Sequence, residues 1–109
     1  MPGTLARRKH APSLKPIEPE KAEQAAEILK AVAHPLRLQI IALLCEEPLH
    51  VKRLAELLEA KQAIVSQQLR ILRMRRLVAA TRRGGHALYR IEEPHLRELV
   101  ACIERCKMR

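Results

Sequence analysis

The sequence predicts a mainly α-helical fold that carries one small β-hairpin, and three observations lead to this prediction. Apolar residues recur at helical spacing over most of the chain from residue 19 onward. With one Tyr and neither Trp nor Phe, the core must be built from Leu, Ile, Val and Ala, which favours helices over a β-sandwich. Near residue 78 the helical spacing gives way to two short apolar runs around Gly84 and Gly85, which is typical of a hairpin.

The length of the chain and a change in composition indicate a tail followed by one domain. The 109 residues fit a single domain, and a domain of this size gains stability by dimerising because it buries a modest fraction of its surface. Residues 1–18 are rich in proline and carry Arg7, Arg8 and Lys9, so we predict a flexible basic tail there. The folded domain is expected over residues 19–109.

Four helices are predicted before the hairpin and one after it. The first begins near Pro19, and the second, "LRLQIIALLC", follows Pro35, which suits a first helical turn. That second helix is apolar almost all round and should be central. "LHVKRLAELLEA" and "KQAIVSQQLRILRMRRLV" are the third and fourth helices, "LVAATRR" and "HALYRI" are the strands, and "EEPHLRELVACIERCK" is the last helix. Two short consecutive helices followed by a basic hairpin form the outline of a winged helix-turn-helix.

Charge and composition narrow the class of function. The net charge of +9 and the pI of about 10.2 point to a polyanionic partner, most simply nucleic acid. Few aromatics disfavour readers of RNA or single strands, which stack bases on aromatic rings, so double-stranded DNA is the expected partner. The chain has no Gly-rich phosphate loop and no nucleophile elbow, so we do not expect an enzyme.

No apolar run reaches membrane-spanning length, so we expect no membrane partner and a cytoplasmic location. In that compartment three cysteines do not indicate a disulfide framework.

The fourth predicted helix is the candidate for reading DNA. Val65, Leu69 and Leu72 form its apolar stripe, and the opposite face carries short or amide-bearing polar groups in the half that enters a major groove. Gln pairs with adenine edges and Arg with guanine or phosphate, while arginines at the hairpin tip can reach a minor groove or the backbone. The predicted DNA-binding residues are Gln62, Ala63, Ser66, Gln67, Arg70, Arg73, Arg82 and Arg83. The alternative is a solvated helix whose arginines serve solubility.

Four stretches together resemble the ArsR/SmtB family of bacterial repressors: "AVAHPLRLQIIALL", "LAELL", "IVSQQLRILRMRRLV" and "RRGGHALYRI". The resemblance runs from about residue 20 to the C-terminus. It implies a homodimer built on the first and last helices, which represses an operon from an operator expected to be an inverted repeat. It also implies release from DNA by a metal, a metalloid or a thiol oxidant. One departure is that Lys61 and Gln62 stand where family members often have a Ser cap.

The family has two metal sites, and the resemblance indicates which residues of this sequence stand at each of them. The first, a Cys-x-Val-Cys-Asp motif at the third helix, corresponds here to residues 50–53, where Lys52 and Arg53 replace a thiolate and an acid. That site is expected to be absent, with His50 left as a surface residue. The second, on the last helix, pairs an acid and a His with two later ligands from the other subunit. Its positions here read Glu93, His95, Cys106 and Arg109, of which the first three can ligate a metal.

Helix geometry gives an independent reason to group the last-helix residues. At about 100° per residue, His95, Leu99, Cys102 and Cys106 share one stripe. One helix cannot bring His95 to Cys106, because eleven residues rise about 16 Å. An antiparallel pair of identical helices can, and a metal there would bridge the dimer.

The residue types leave the effector open. Two thiolates and an imidazole suit Zn(II) or Cd(II), whereas three thiolates would suit As(III), with Cys45 as the candidate third thiol. In the alternatives, the cysteines pack at the interface and Glu93 is a first-turn acid favoured by the helix dipole. A redox or persulfide response would use Cys45 with Cys102 or Cys106. The remaining interpretation is a DNA-binding protein with no effector.

Overall fold

The computed structural model describes residues 14–108, so most of the predicted tail, together with Arg109, lies outside the described residues. Residues 14–18 are exposed and belong to no helix or strand. The elements in chain order are α1 (Pro19–Val32), α2 (Pro35–Glu46), β1 (Leu49–His50), α3 (Val51–Leu58), α4 (Gln62–Met74), β2 (Val78–Arg83), β3 (His86–Ile91) and α5 (Leu96–Arg105).

The second helix is central, as predicted. Ile40, Ile41 and Leu44 are buried, and α2 contacts every other helix. Its start is defined by Pro35 at the first helical position and by the His34 imidazole, whose Nδ1 accepts the Leu36 N–H at 3.2 Å. Within residues 14–108 no single helix is long and apolar enough to cross a membrane; α1 and α2 reach that measure only when counted together as a pair bent by 94°.

The third and fourth helices form the helix-turn-helix. The turn between them is set by Glu59, which has a left-handed φ of 52°, and by the Ala60 N–H, which donates to the Ala55 carbonyl at 3.0 Å. The predicted inward stripe of α4 is confirmed, because all three of its members are fully buried: Val65, Leu69 and Leu72.

The fourth helix ends sooner than its apolar spacing suggested. It stops at Met74, Arg76 takes a left-handed φ of 59°, and the Leu77 N–H donates back to the Leu72 carbonyl at 3.0 Å. The apolar pair that continued the pattern, Leu77 and Val78, is buried in the following turn and at the start of β2.

The predicted hairpin is confirmed, and a third strand joins it. β2 and β3 pair antiparallel, with Arg83 opposite His86 and a two-residue turn between them in which Gly84 and Gly85 have φ of 56° and 83°. Positive φ at both turn positions suits a right-twisted hairpin and favours glycine. β1 was not predicted; its 2 residues pair with β3, so the sheet has the order β1-β3-β2.

The first and last helices bury only part of their apolar surface within the chain. In α1 the buried residues are Ala31 and Val32, whereas Leu29 is 53% exposed. In α5 the buried residues are Leu96 and Val100. α5 is also shorter than predicted, because residues 92–95 form a turn before it and it ends at Arg105.

Candidate DNA interface and sensing helix

The exposed face of α4 carries the side chains predicted to read DNA. Its exposed members are Gln62, Ala63, Ser66, Gln67, Arg70 and Arg73. By helix geometry they lie within an arc of about 140°, away from the buried stripe. Lys61 stands at the N-cap without a side-chain bond to the helix, in line with the missing Ser cap. Ile64, which sequence reasoning left out, is also exposed, at 43%.

The tip of the hairpin presents two cationic side chains. Arg82 and Arg83 are both exposed, and they are the last two residues of β2 before the turn. The Arg82 Nη1 donates to the Gly85 carbonyl at 2.8 Å, so its guanidinium is held against the turn and keeps its other N–H groups outward. Arg90 donates to the Thr81 hydroxyl at 2.8 Å, which ties the two strands on their exposed side. The hairpin therefore presents a basic tip to solvent.

Two further arginines form contacts between helices. Arg37 on α2 is half-buried and donates to Gln68 of α4 and to the Ala31 carbonyl of α1. Arg75, just after α4, pairs with Glu27 of α1 at 3.2 Å. Neither contact was predicted, because the sequence does not indicate which distant residue an arginine side chain will meet.

The last helix leaves both of its cysteines exposed. Cys102 and Cys106 are free thiols on the same edge of α5 as the half-buried Leu99. Cys106 is the C-cap residue, with an extended φ, ψ of −71°, 137°, so it lies just beyond the helical turn that the sequence predicted for it. Free cysteine usually prefers burial, so an exposed pair one turn apart is unusual for a packing role in one chain.

Glu93 and His95 form a pair at the opposite end of α5. One carboxylate oxygen of Glu93 accepts the His95 backbone N–H at 3.0 Å and lies 2.8 Å from the imidazole Nδ1. The backbone hydrogen bond from His95, followed by the side-chain hydrogen bond, lowers the pKa of Glu93. The hydrogen bond to Glu93 and its negative charge raise the pKa of His95. Glu93 thus orients the imidazole and leaves Nε2 directed elsewhere.

Within residues 14–108 of one chain, no three His, Cys, Asp or Glu side chains lie close enough to hold an ion. Cys45 is half-buried at the end of α2, and desolvation raises the pKa of its thiol, with Arg97 opposing that effect. A raised thiol pKa lowers the thiolate fraction and with it the reactivity that a redox sensor needs.

His50 is not the isolated surface residue that was expected. It is half-buried in β1, its Nδ1 lies 2.9 Å from the Ala87 carbonyl, and its ring stands edge to face with His86, the centroids 5.9 Å apart. The expectation was wrong because a two-residue strand leaves no periodic signal in the sequence. Lys52 and Arg53 are exposed, and the Arg53 guanidinium lies 3.4 Å from Glu56.

Known proteins similar to this chain share this architecture. The profile of the bacterial regulatory proteins of the arsR family matches residues 34–80, from α2 into β2. The HTH-type transcriptional regulator NmtR of Mycobacterium tuberculosis is 39% identical over 85 residues, which cover 78% of this chain and 71% of that protein. This chain belongs to the ArsR family. A transcriptional repressor SmtB homolog of Synechocystis is 35% identical over 95 residues, covering 83% of this chain and 72% of the relative.

A solved structure supports the same conclusion for the fold. A homodimeric winged helix-turn-helix DNA-binding domain from Mycobacterium bovis superposes with a TM-score of 0.70 at 28% identity, covering 94% of this chain and 87% of the other. The predicted winged helix-turn-helix and the resemblance to ArsR/SmtB repressors are thereby confirmed. ArsR-family members are DNA-binding transcription regulators rather than enzymes.

Proposed function

We propose that this ArsR-family regulator is a homodimeric repressor that a soft metal ion releases from its operator by binding between the two α5 helices. The observation that carries the proposal is the exposed pair Cys102 and Cys106 on α5, with the paired Glu93 and His95 at the other end of the same helix. Two thiolates, an imidazole and a carboxylate form a donor set suited to a tetrahedral ion.

Dimerisation is supported by the apolar surface that one chain leaves uncovered. α1 turns Leu29 and a row of alanines outward. A groove of about 340 Å³ runs between α2 and α5, with Leu38, Ala42 and Ile103 among its lining residues. The Mycobacterium bovis domain, which matches 94% of this chain, is homodimeric. A second copy of this chain is therefore the occupant we propose for this face.

The DNA-binding half of the proposal assigns α4 to the major groove and the wing to the backbone or minor groove. Gln62, Ser66, Gln67 and Arg70 are exposed on one face of α4, where amide and guanidinium groups pair with base edges. Twofold symmetry of the dimer implies an inverted-repeat operator, since each half-site meets the same surface. The basic tail over residues 1–18 remains a prediction from the sequence.

The proposed metal site lies in trans. If the two α5 helices run antiparallel, His95 and Glu93 of one chain meet Cys102 and Cys106 of the other, which gives two equivalent sites per dimer. An ion bound in this way favours one arrangement of the subunits over another, and that difference in affinity is what couples metal to DNA. Zn(II) and Cd(II) match this donor set best. As(III) prefers three thiolates, and the third thiol of this chain, Cys45, is half-buried on α2.

Operator release by individual ions tests the proposal. Fluorescence anisotropy would follow the reduced wild-type protein on its promoter DNA, without oxygen, as Zn(II), Cd(II) or As(III) is added in separate titrations. We expect Zn(II) or Cd(II) to weaken binding by about 5- to 150-fold, the range of ordinary allosteric coupling.

Two variants make the experiment specific. Cys102→Ser combined with Cys106→Ser should bind DNA normally and lose the metal response. Cys45→Ser serves as the matched control and should keep the response. Release of the double variant by the same ion would contradict the proposed site. Release of wild type by persulfide or peroxide instead, with no response to any ion, would favour the redox alternative.

A further inference from the structure

Arg37 occupies the junction of three helices. It lies in the first turns of α2, its Nε donates to the Ala31 carbonyl of α1 at 2.6 Å, and its Nη1 donates to the Gln68 Oε1 of α4 at 2.9 Å. The side chain is half-buried. One guanidinium therefore joins the C-terminal end of α1 to the middle of the DNA-reading helix.

The chemistry of both acceptors fits a charged, planar donor. The Ala31 carbonyl belongs to the last turn of α1, where carbonyl groups have no partner within the helix and a cation is favoured by the helix dipole. Gln68 follows Gln67, which faces outward, and precedes Leu69, which is fully buried. A bond to Gln68 therefore constrains the rotation of α4 about its own axis, and with it the direction of the exposed readers.

A second contact joins α1 to the end of α4. Glu27 of α1 pairs with Arg75, the residue that follows α4, at 3.2 Å. The middle and the C-terminal end of α4 are thus both tied to α1. Since α1 carries the exposed apolar face described above, the orientation of α4 depends on a helix that a second subunit would cover.

We propose that Arg37 is a positioning residue for operator recognition, which holds α4 at the rotation that reads DNA without itself contacting DNA. This inference rests on the assignment of α4 as the reading helix. Arg37 is not among the residues assigned to DNA or metal binding above. The role requires the fork of the guanidinium, because the single ammonium of a Lys cannot reproduce two donors in a fixed plane.

Positioning and phosphate contact make different predictions. A phosphate contact strengthens binding to every DNA sequence and contributes about one unit to the slope of log affinity against log salt. A positioning residue affects the preference for the operator over unrelated duplex and leaves that slope unchanged. Arg37→Lys keeps the positive charge and removes the geometry, so it separates the two roles.

The experiment measures affinity for two duplexes across a range of salt concentrations. One duplex is selected by the wild-type protein from a randomised pool, and the other is scrambled. The variants are Arg37→Lys, Arg37→Met, Gln68→Met, and Arg37→Lys combined with Gln68→Met. Arg53→Met is the control and removes an exposed arginine of α3. Thermal unfolding of each variant shows whether it is folded at the binding temperature.

We expect Arg37→Lys and Gln68→Met each to lower the operator preference about tenfold, with the combined variant no worse than either, because the two residues act through one bond. Wild-type preference in Arg37→Lys, or an unchanged preference in a folded Gln68→Met, would overturn the inference. A salt slope reduced by about one in Arg37→Met would assign Arg37 to a phosphate instead. If the wild-type protein selects no duplex at all, the DNA-reading assignment of α4 fails rather than this one.

Discussion

α4 and α5 are both amphipathic helices that bury one stripe, yet only α4 can be interpreted from one chain. α4 buries Leu69 completely and exposes mainly polar and basic groups, so the core and the proposed DNA contact account for most of its circumference. α5 buries Leu96 and Val100 but leaves Leu99 half-buried and both thiols exposed. The contrast indicates that the proposed DNA-reading surface needs only one subunit, whereas the proposed sensing surface needs a second.

The largest effect should come from the shared core. Leu69→Ala removes a fully buried side chain and is expected to lower the free energy of unfolding by about 2–5 kcal/mol. Leu99→Ala, at a half-buried position of α5, should cost less folding free energy and instead raise the dimer dissociation constant. Urea unfolding and analytical ultracentrifugation measure the two quantities. Equal losses of folding stability in both variants would remove the distinction between the helices.

A smaller effect is expected on the DNA-reading face. Arg70→Ala should weaken operator binding by about 1–3 kcal/mol, the usual loss for one good base contact, and leave the metal response intact. Arg97→Ala removes an exposed arginine of α5 and serves as the matched control, with operator affinity within about twofold of wild type. Anisotropy titration measures both. If Arg97→Ala has the larger effect, the division of roles between α4 and α5 is wrong.

Mixing two inactive variants sharpens the assignment of α5. His95→Ala and Cys106→Ser homodimers each lack one ligand at every site and should not respond to Cd(II). Random reassociation makes about half of the dimers mixed, and each mixed dimer holds one intact site if the ligands come from different chains. Cd–thiolate absorbance and operator release should then partly return. No recovery after mixing would place the site within one chain or nowhere on α5.

The smallest expected effect is on proton binding at the start of α5. Glu93→Gln removes the partner that raises the pKa of His95, so the pKa should fall towards its usual 6.5. The raised pKa of His95 gives a stabilisation that is complete below pH 6.5 and is lost as pH rises through the folded value. The lowered pKa of Glu93 gives a second stabilisation, which is present above pH 4.5 and is lost as pH falls through the folded value.

The pair therefore stabilises the start of α5 most between these two pH values. An NMR titration of the His95 ring gives the pKa directly in both proteins. An unchanged value in Glu93→Gln would mean that the two side chains do not interact in solution.

The sequence was informative where a signal repeats and silent where it does not. The stripe of α4 and the Gly-Gly hairpin follow from periodicity and from positive φ, so Leu69, Gly84 and Gly85 were placed correctly. β1 has 2 residues, which is too few to show a period. The end of α4 was misplaced because the helix stops at a left-handed Arg76, a residue type that gives no warning of such a conformation.

The features of the candidate site also fall into two groups, those that a repeating sequence signal predicts and those that it does not. Exposure of the polar residues of α4 followed from its helical phase. Exposure of Cys102 and Cys106 did not, because the same phase on α5 also suits cysteines that pack at an interface. The contacts of Arg37 did not, since three helices distant along the chain had to meet first. Whether His95 reaches Cys106 of a second chain depends on a symmetry operation that one sequence does not contain.

The short strand β1 affects how the wing is held relative to the helix-turn-helix. Because β1 pairs with β3 and runs directly into α3, the wing is fastened to the helix-turn-helix at its base. Within one subunit the fold therefore sets the distance from α4 to Arg82 and Arg83. In the proposed dimer the variable distance is the one between the two subunits. An effector that binds there would change the spacing at which two half-sites fit, while each half-site would stay the same.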